Sequence, residues 1–328
     1  MLRSRISLHE AVRSRAFQRS ACLTAALALM LTTGQPAFAG TPTALISTKR
    51  VSEFQPSFGA GYLVWDQNSI AHPRHFDSFA KQTGQPRIKV NPAGTNSNGA
   101  AIDGTTVLYQ EVGRRGANLK MYDVTTGDRT APGSGVNTRL WEFEPGISAD
   151  HLFFARGKFD GSTQWVRLIL YDRLTGQSQV LAEADPRHRY LISNQVNGDW
   201  AVWESCRLAR GNFTNCNVYR YQISTAQTVR LPNPDRQQYG SAVTADGTVY
   251  YVRTGRADHW QCGAGARLVR YPIGGPATVI ASVPRGKDAF SMFAFEEADT
   301  SVTLYFDRIR CQSNQSGDIY KLTNADTA

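Results

Sequence analysis

The chain has 328 residues, 41% hydrophobic, 10% aromatic and 19% charged, with 36 Lys plus Arg against 27 Asp plus Glu. Five of those Arg and one Glu lie in the first 39 residues, which leaves 31 against 26 and a net charge of only +5. That mild excess fits a soluble protein with a weak preference for anionic partners and gives no case for nucleic acid; no stretch approaches the ~20 apolar residues of a spanning helix.

Residues 1–39 read as a secretory signal. Arg3, Arg5, Arg13, Arg15 and Arg19 form a basic leader, the apolar run 21–33 follows, and Ala37-Phe38-Ala39 precedes Gly40 as a small-residue cleavage site. The expected mature chain, 40–328, is therefore secreted or periplasmic. The leader has no twin-Arg pair, and no Cys follows the cleavage site, which argues against a lipoprotein.

Past the leader, one strand type recurs six times: YLVW (62–65), TVLY (106–109), HLFF (151–154), WAVW (200–203), TVYY (248–251) and TLYF (303–306). Each ends in an aromatic: Trp65, Tyr109, Phe154, Trp203, Tyr251 and Phe306, spaced by 44, 45, 49, 48 and 55 residues. A turn precedes most of them, as at Asp103-Gly104, Asn197-Gly198 and Asp246-Gly247, pairs suited to tight hairpins. A further strand follows each: FDSF (76–79), LKMY (119–122), LILY (168–171), VYRY (218–221), LVRY (268–271) and IYKL (319–322). Short turns and short outer strands such as QVLAEA, TVRLPN and TVIASV then end the units.

Four-stranded units at this period predict an all-β fold, a six-bladed β-propeller of antiparallel blades. The sixth unit stops after its third strand, and TALISTKRVSEF (43–54) resembles TVIASVPRGKDAF (278–290). The N-terminal strand is thus expected to complete the last blade and close the ring, removing an exposed edge.

The pairs Asp103-Gly104 with Tyr109 and Asp246-Gly247 with Tyr251, and the spacing of Tyr122 and Tyr171 to Gly127 and Gly176, resemble the TolB-type six-bladed propellers. The resemblance runs over the whole mature chain, with the turn altered to Ser-Ala-Asp at 148–150 and Thr-Ala-Asp-Gly at 244–247. It implies the propeller alone, without the extra N-terminal domain of TolB, and so gives no support for a translocation role.

In such a ring the second-to-third connections share a face with the blade-to-blade connections. Four of them read as long loops: 157–165, 206–216, 255–266 and 309–316. Loops of unequal length on one face suggest function. Cys206 and Cys216 bracket one of these loops, and Cys262 and Cys311 lie in corresponding loops of adjacent blades. The expected bridges are Cys206–Cys216 and Cys262–Cys311. Arg156, Arg253 and Arg308 each stand two residues after an aromatic anchor, and Trp165 and Trp260 lie in the same loops. Arg with aromatics is a recognition composition. Asp160, Glu204, Asp258 and Asp307 are the expected counter-charges of a basic rim.

The mouth of the central channel is the second candidate site, with Glu53, Asn98, Glu142, Glu144, His188, Tyr190, Gln238, Tyr239 and Asp288 entering the inner strands. No cofactor is indicated, except that these carboxylates could hold a divalent metal, as six-bladed lactonases do. His72 and His75 of HPRH are expected on a loop. Hydrolase elbows, zincin, phosphate-loop and EF-hand motifs are missing from the sequence. The leading expectation is a monomeric, non-enzymatic binding protein for a protein, peptide or glycan. The alternatives are a lactonase-like metal-dependent hydrolase or polysaccharide lyase, and a structural envelope protein.

Overall fold

The computed structural model describes residues 41–48, 51–69, 71–113, 116–160, 163–209, 212–235, 237–255, 265–286, 288–298, 301–310 and 317–326. Every regular element among them is a strand. The first, β1 (Thr43–Ile46), stands apart from the unit that follows it in sequence. Blade 1 is β2 (Val51–Gly59), β3 (Tyr62–Ser69), β4 (His72–Gln82) and β5 (Ile88–Lys89). Blade 2 is β6 (Asn96–Asp103), β7 (Thr106–Val112), β8 (Ala117–Asp123) and β9 (Arg129–Thr130). Blade 3 is β10 (Trp141–Ile147), β11 (His151–Lys158), β12 (Trp165–Asp172) and β13 (Ser178–Ala184). Blade 4 is β14 (Arg189–Asn197), β15 (Trp200–Ala209), β16 (Asn212–Gln222) and β17 (Gln227–Arg230). Blade 5 is β18 (Gln237–Val243), β19 (Val249–Thr254), β20 (Ala266–Tyr271) and β21 (Thr278–Val283). Blade 6 is β22 (Asp288–Ala298), β23 (Ser301–Arg310) and β24 (Gly317–Leu322), and β1 pairs antiparallel with β24 as its fourth strand.

The inner strands β2, β6, β10, β14, β18 and β22 are neighbours around the axis. The second strands read as near-continuous apolar runs because each blade is covered on both faces by its neighbours. Val249, Tyr250, Tyr251 and Val252 are all fully buried. The six aromatic anchors share one role. Tyr109 packs with Val64 and Ala80 of blade 1, Phe154 with Leu108 of blade 2, Trp203 with Phe153 of blade 3, and Tyr251 with Val202 of blade 4. Phe306 packs with Tyr250 of blade 5, and Trp65 with Tyr305 of blade 6. Each anchor therefore faces the preceding blade, and strand alternation turns the residue after it toward the following blade.

The hairpin turns use glycine where the chain must run left-handed: Gly104 has φ 54°, Gly198 53° and Gly247 81°. Two sequence expectations need correction. Residues 206–216 are a long hairpin rather than a loop, since β15 runs to Ala209 and β16 resumes at Asn212, so the ladder of blade 4 continues past the blade body. His72 and His75 lie on β4, not on a loop. Pro73 is tolerated because the register shift between Asn68 and Ser69 breaks the ladder there.

Candidate functional site

Antiparallel connectivity puts two sets of connections on one face of the disc, those between second and third strands and those between blades. Among the described residues the other face carries short connections, from the two-residue turn Ala60-Gly61 to the six residues between β20 and β21. On the first face β15 and β16 project as a ribbon stapled by the Cys206–Cys216 disulfide, with Cα atoms 3.9 Å apart and both residues fully buried. Trp260, Cys262 and Cys311 lie outside the described residues, as does the side chain of Asp288.

Two of the arginines two residues after an anchor hold the connection that enters their own blade. Arg156 Nε meets Glu142 Oε1 at 2.9 Å, and its Nη2 donates to the carbonyls of Gly135 and Val136 at 2.9 and 2.8 Å. Arg253 Nε is 2.6 Å from Asp235 Oδ2 in the corresponding connection of blade 5. Arg308 stands opposite Asp318 in the β23–β24 ladder, 5.5 Å above the ring of Tyr320. Trp165 is half-buried at the start of β12, with Arg167 4.2 Å over its ring. Sequence repetition thus placed Arg156 and Arg253 in equivalent positions, and at both positions the charge is engaged within the protein.

The channel candidates divide in the same way. Glu142 is fully buried, bound by Arg156 and by the Thr138 hydroxyl at 2.6 Å. Gln238 is fully buried and holds Val218 N and the Pro232 carbonyl at 3.0 and 2.6 Å. Asn98 opens the bulge of β6, opposite Gln110. Glu53 is fully buried at the ring closure; burial, and then the charge of Asp318, raise its pKa, which the neighbouring Thr48 opposes. His188 is exposed on the connection before β14 and does not enter the channel.

Glu144, Tyr190 and Tyr239 do come together, through a feature the sequence does not announce. All six inner strands carry a bulge, among them Phe54/Ser57, Asn98/Ala101, Phe143/Gly146 and Tyr239/Ala242. At four of them one residue turns left-handed: Gln55 (φ 54°), Gly99 (65°), Glu144 (52°) and Gly240 (59°). A bulge leaves an amide without a ladder partner. Asp66, one residue after the Trp65 anchor, accepts Gly99 N at 2.5 Å and Ala100 N at 3.4 Å, and Ser78 Oγ donates to its other oxygen at 2.5 Å. Glu204, one residue after Trp203, accepts the amide of Gly240 in the next blade.

Glu204 links Glu144 electrostatically to Tyr239, and Glu144 in turn acts on Tyr190. Burial, and then the charge of Glu204, push the Glu144 carboxyl well above its usual range. Burial, and then Glu144, raise Tyr190; burial, then Glu204 and Asp307, raise Tyr239. Burial lifts Asp66 to about 7 against the pull of its three donors. Glu204 and Asp307, expected as rim counter-charges, are instead 1% and 0% exposed. The sequence signal for Asp66, Glu204 and Asp307 was an acidic residue directly after the aromatic anchor in three of six repeats. Among the described residues no three His, Cys, Asp or Glu side chains are grouped so as to hold a metal ion.

No protein-family model matches this chain. No curated protein matches its sequence. Solved structures do match. An oligogalacturonate lyase in complex with manganese aligns at TM-score 0.52 and 11% identity over 88% of this chain and 94% of that one. A subtype N11 neuraminidase-like protein from a Peruvian flat-faced bat isolate aligns at TM-score 0.51 and 10% identity over 86% of this chain and 90% of that one. TolB from Acinetobacter baumannii aligns at TM-score 0.48 and 13% identity over 85% of this chain, which spans 65% of that one. Likenesses at such identity concern the fold alone. The fold of this chain is a six-bladed propeller of four-stranded blades.

Proposed function

We propose that the protein is an exported binding propeller that recognises a protein, peptide or glycan on the face bearing the second-to-third hairpins. The observation that carries this reading is the asymmetry of the two faces. One has turns as tight as Ala60-Gly61, while the other raises the β15–β16 ribbon beyond its blade and staples it. A ring stabilised only by its interblade cores has no need of that extension. The disulfide fits an oxidising compartment, in keeping with cleavage of a signal after Ala39. Trp165 and Arg308, with Trp260, are the side chains assigned to contact the ligand, while Arg156 and Arg253 shape the surface between them.

The test is a screen of mature protein on glycan and peptide arrays, followed by titration of any hit against Trp165→Ala and Arg308→Ala. A loss of affinity of about tenfold or more with unchanged melting temperature is expected. Hits unaffected by both variants would remove the Trp165 and Arg308 surface from consideration.

A second reading has one observation in its favour: Glu144, in a left-handed backbone conformation and with its carboxyl pushed well above the usual range by burial and then by Glu204, lies near Tyr190 on the inner strands. An acid–base enzyme would use such a pair. Stoichiometric divalent metal in protein purified without chelators, together with loss of activity in Glu144→Gln, would favour a hydrolase or lyase.

A further inference from the structure

Blade 1 carries a second projecting hairpin end, formed by β3 and β4. The β3–β4 ribbon reaches the same face as β15–β16, and two shallow, adjoining concavities of about 480 and 350 Å³ lie on it. Gln67, Ser69, His72, His75 and Asp77 bound the larger, and His72, Pro73, Arg74 and His75 border the smaller. Strand alternation accounts for the shared face: 67 and 69 on β3 and 75 and 77 on β4 point the same way, with Gln67 directly opposite Asp77.

The dish is held rigid from below. Asn96 of blade 2 accepts Phe76 N at 2.9 Å and donates to the Arg74 carbonyl at 3.3 Å; Asn68 donates to the Pro73 carbonyl at 3.1 Å. Phe76 stands edge-on to Phe54, with ring centroids 5.5 Å apart. Its electrostatics favour an anion. The acid of the dish, Asp77, is already bound by Lys89 at 2.7 Å and by the Asn91 amide at 3.0 Å, and it lies 3.5 Å from His75 Nε2, whose exposed ring can face both Asp77 and a ligand only when protonated. These bonds keep its carboxyl below the usual range although burial opposes them. His72, Arg74 and His75 remain exposed on the rim, and Arg87 adds a further cation beside Gln67 at 3.0 Å.

We propose that this dish binds the side-chain carboxylates of an acidic peptide, with His72 and His75 as the principal donors. Imidazole N–H, guanidinium and amide groups are matched to carboxylate oxygens. Among the described residues no Trp or Tyr borders either concavity to offer a flat face to a sugar ring, which is why a peptide is favoured over a glycan. The site is separate from Trp165 and Arg308, so it stands or falls independently of the recognition surface proposed above.

The test is fluorescence anisotropy of a labelled oligoglutamate peptide against the mature protein at low salt. His72→Ala and His75→Ala are compared with Leu174→Ser, a turn residue on the opposite face that is 92% exposed. Each His variant is expected to weaken binding roughly fivefold or more, with Leu174→Ser and an oligoglutamine control confirming site and charge dependence. Equal binding of oligoglutamine, no binding of oligoglutamate, or unchanged affinity in both His variants would overturn the proposal. So would tighter binding of an oligouronate of the same charge that depends on the same two histidines.

Discussion

Asp66 reaches across the interface between blades 1 and 2 to accept the amide of Gly99, the left-handed residue in the bulge of β6. Glu204 makes the equivalent bond to Gly240 between blades 4 and 5. Anchor and carboxylate are adjacent in sequence and face opposite ways. One side chain packs on the blade behind, and the next latches the blade ahead.

The Asp66 latch makes stability depend on pH. Its folded pKa of about 7 lies above the ordinary aspartate value of 3.8. The folded protein therefore holds a proton that the unfolded chain releases. The stabilisation is complete below about pH 4 and is lost as pH rises through about 7, at up to about 1.4 kcal/mol per pH unit. Urea denaturation between those limits should show the slope, and Asp66→Asn should flatten it. An unchanged slope in the variant would contradict this assignment.

The Arg156–Glu142 pair is nearly dry, with side chains 15% and 0% exposed. Arg156→Ala leaves the Glu142 carboxylate buried without its cation, at a cost of about 3 kcal/mol. Arg156→Ala with Glu142→Gln should recover part of that in thermal melts. If the single variant melts like the wild type, the pair is not holding the 131–140 connection.

Cys206 and Cys216 are ten residues apart in sequence, so their bridge closes a short loop. Replacing both with Ser should cost roughly 2–3 kcal/mol, read as a lower denaturation midpoint. Non-reducing peptide mapping should recover 206 linked to 216. A different linkage would contradict the ribbon geometry.

Ring closure rests on the pairs Thr43↔Lys321, Ala44↔Tyr320 and Ile46↔Ile319. Removing residues 41–48 would bare the β24 edge. The truncated protein should melt earlier and elute partly as aggregate in size-exclusion chromatography. Monodisperse, equally stable material would show that β1 is dispensable.

The sequence by itself determined the six blades, their anchors and the closing N-terminal strand. Those depend on local periodicity: an apolar run ending in an aromatic can be buried only between two sheets, and repetition counts the sheets. The Cys206–Cys216 pairing was legible for the same reason, since both lie in one hairpin. Only the tertiary structure decided which polar groups serve which partner. One extra residue in each inner strand turns side chains to the other face. That shift turns Glu144 within β10, while His188 stays on the connection before β14. Arg156 and Arg253 look like free recognition residues in sequence, but their partners, Glu142 with the Gly135 and Val136 carbonyls and Asp235, come from connections whose path is fixed only when blades stack. Glu204 and Asp307 read as rim charges until the ring closes over them, because burial is a property of the assembled disc and not of a strand.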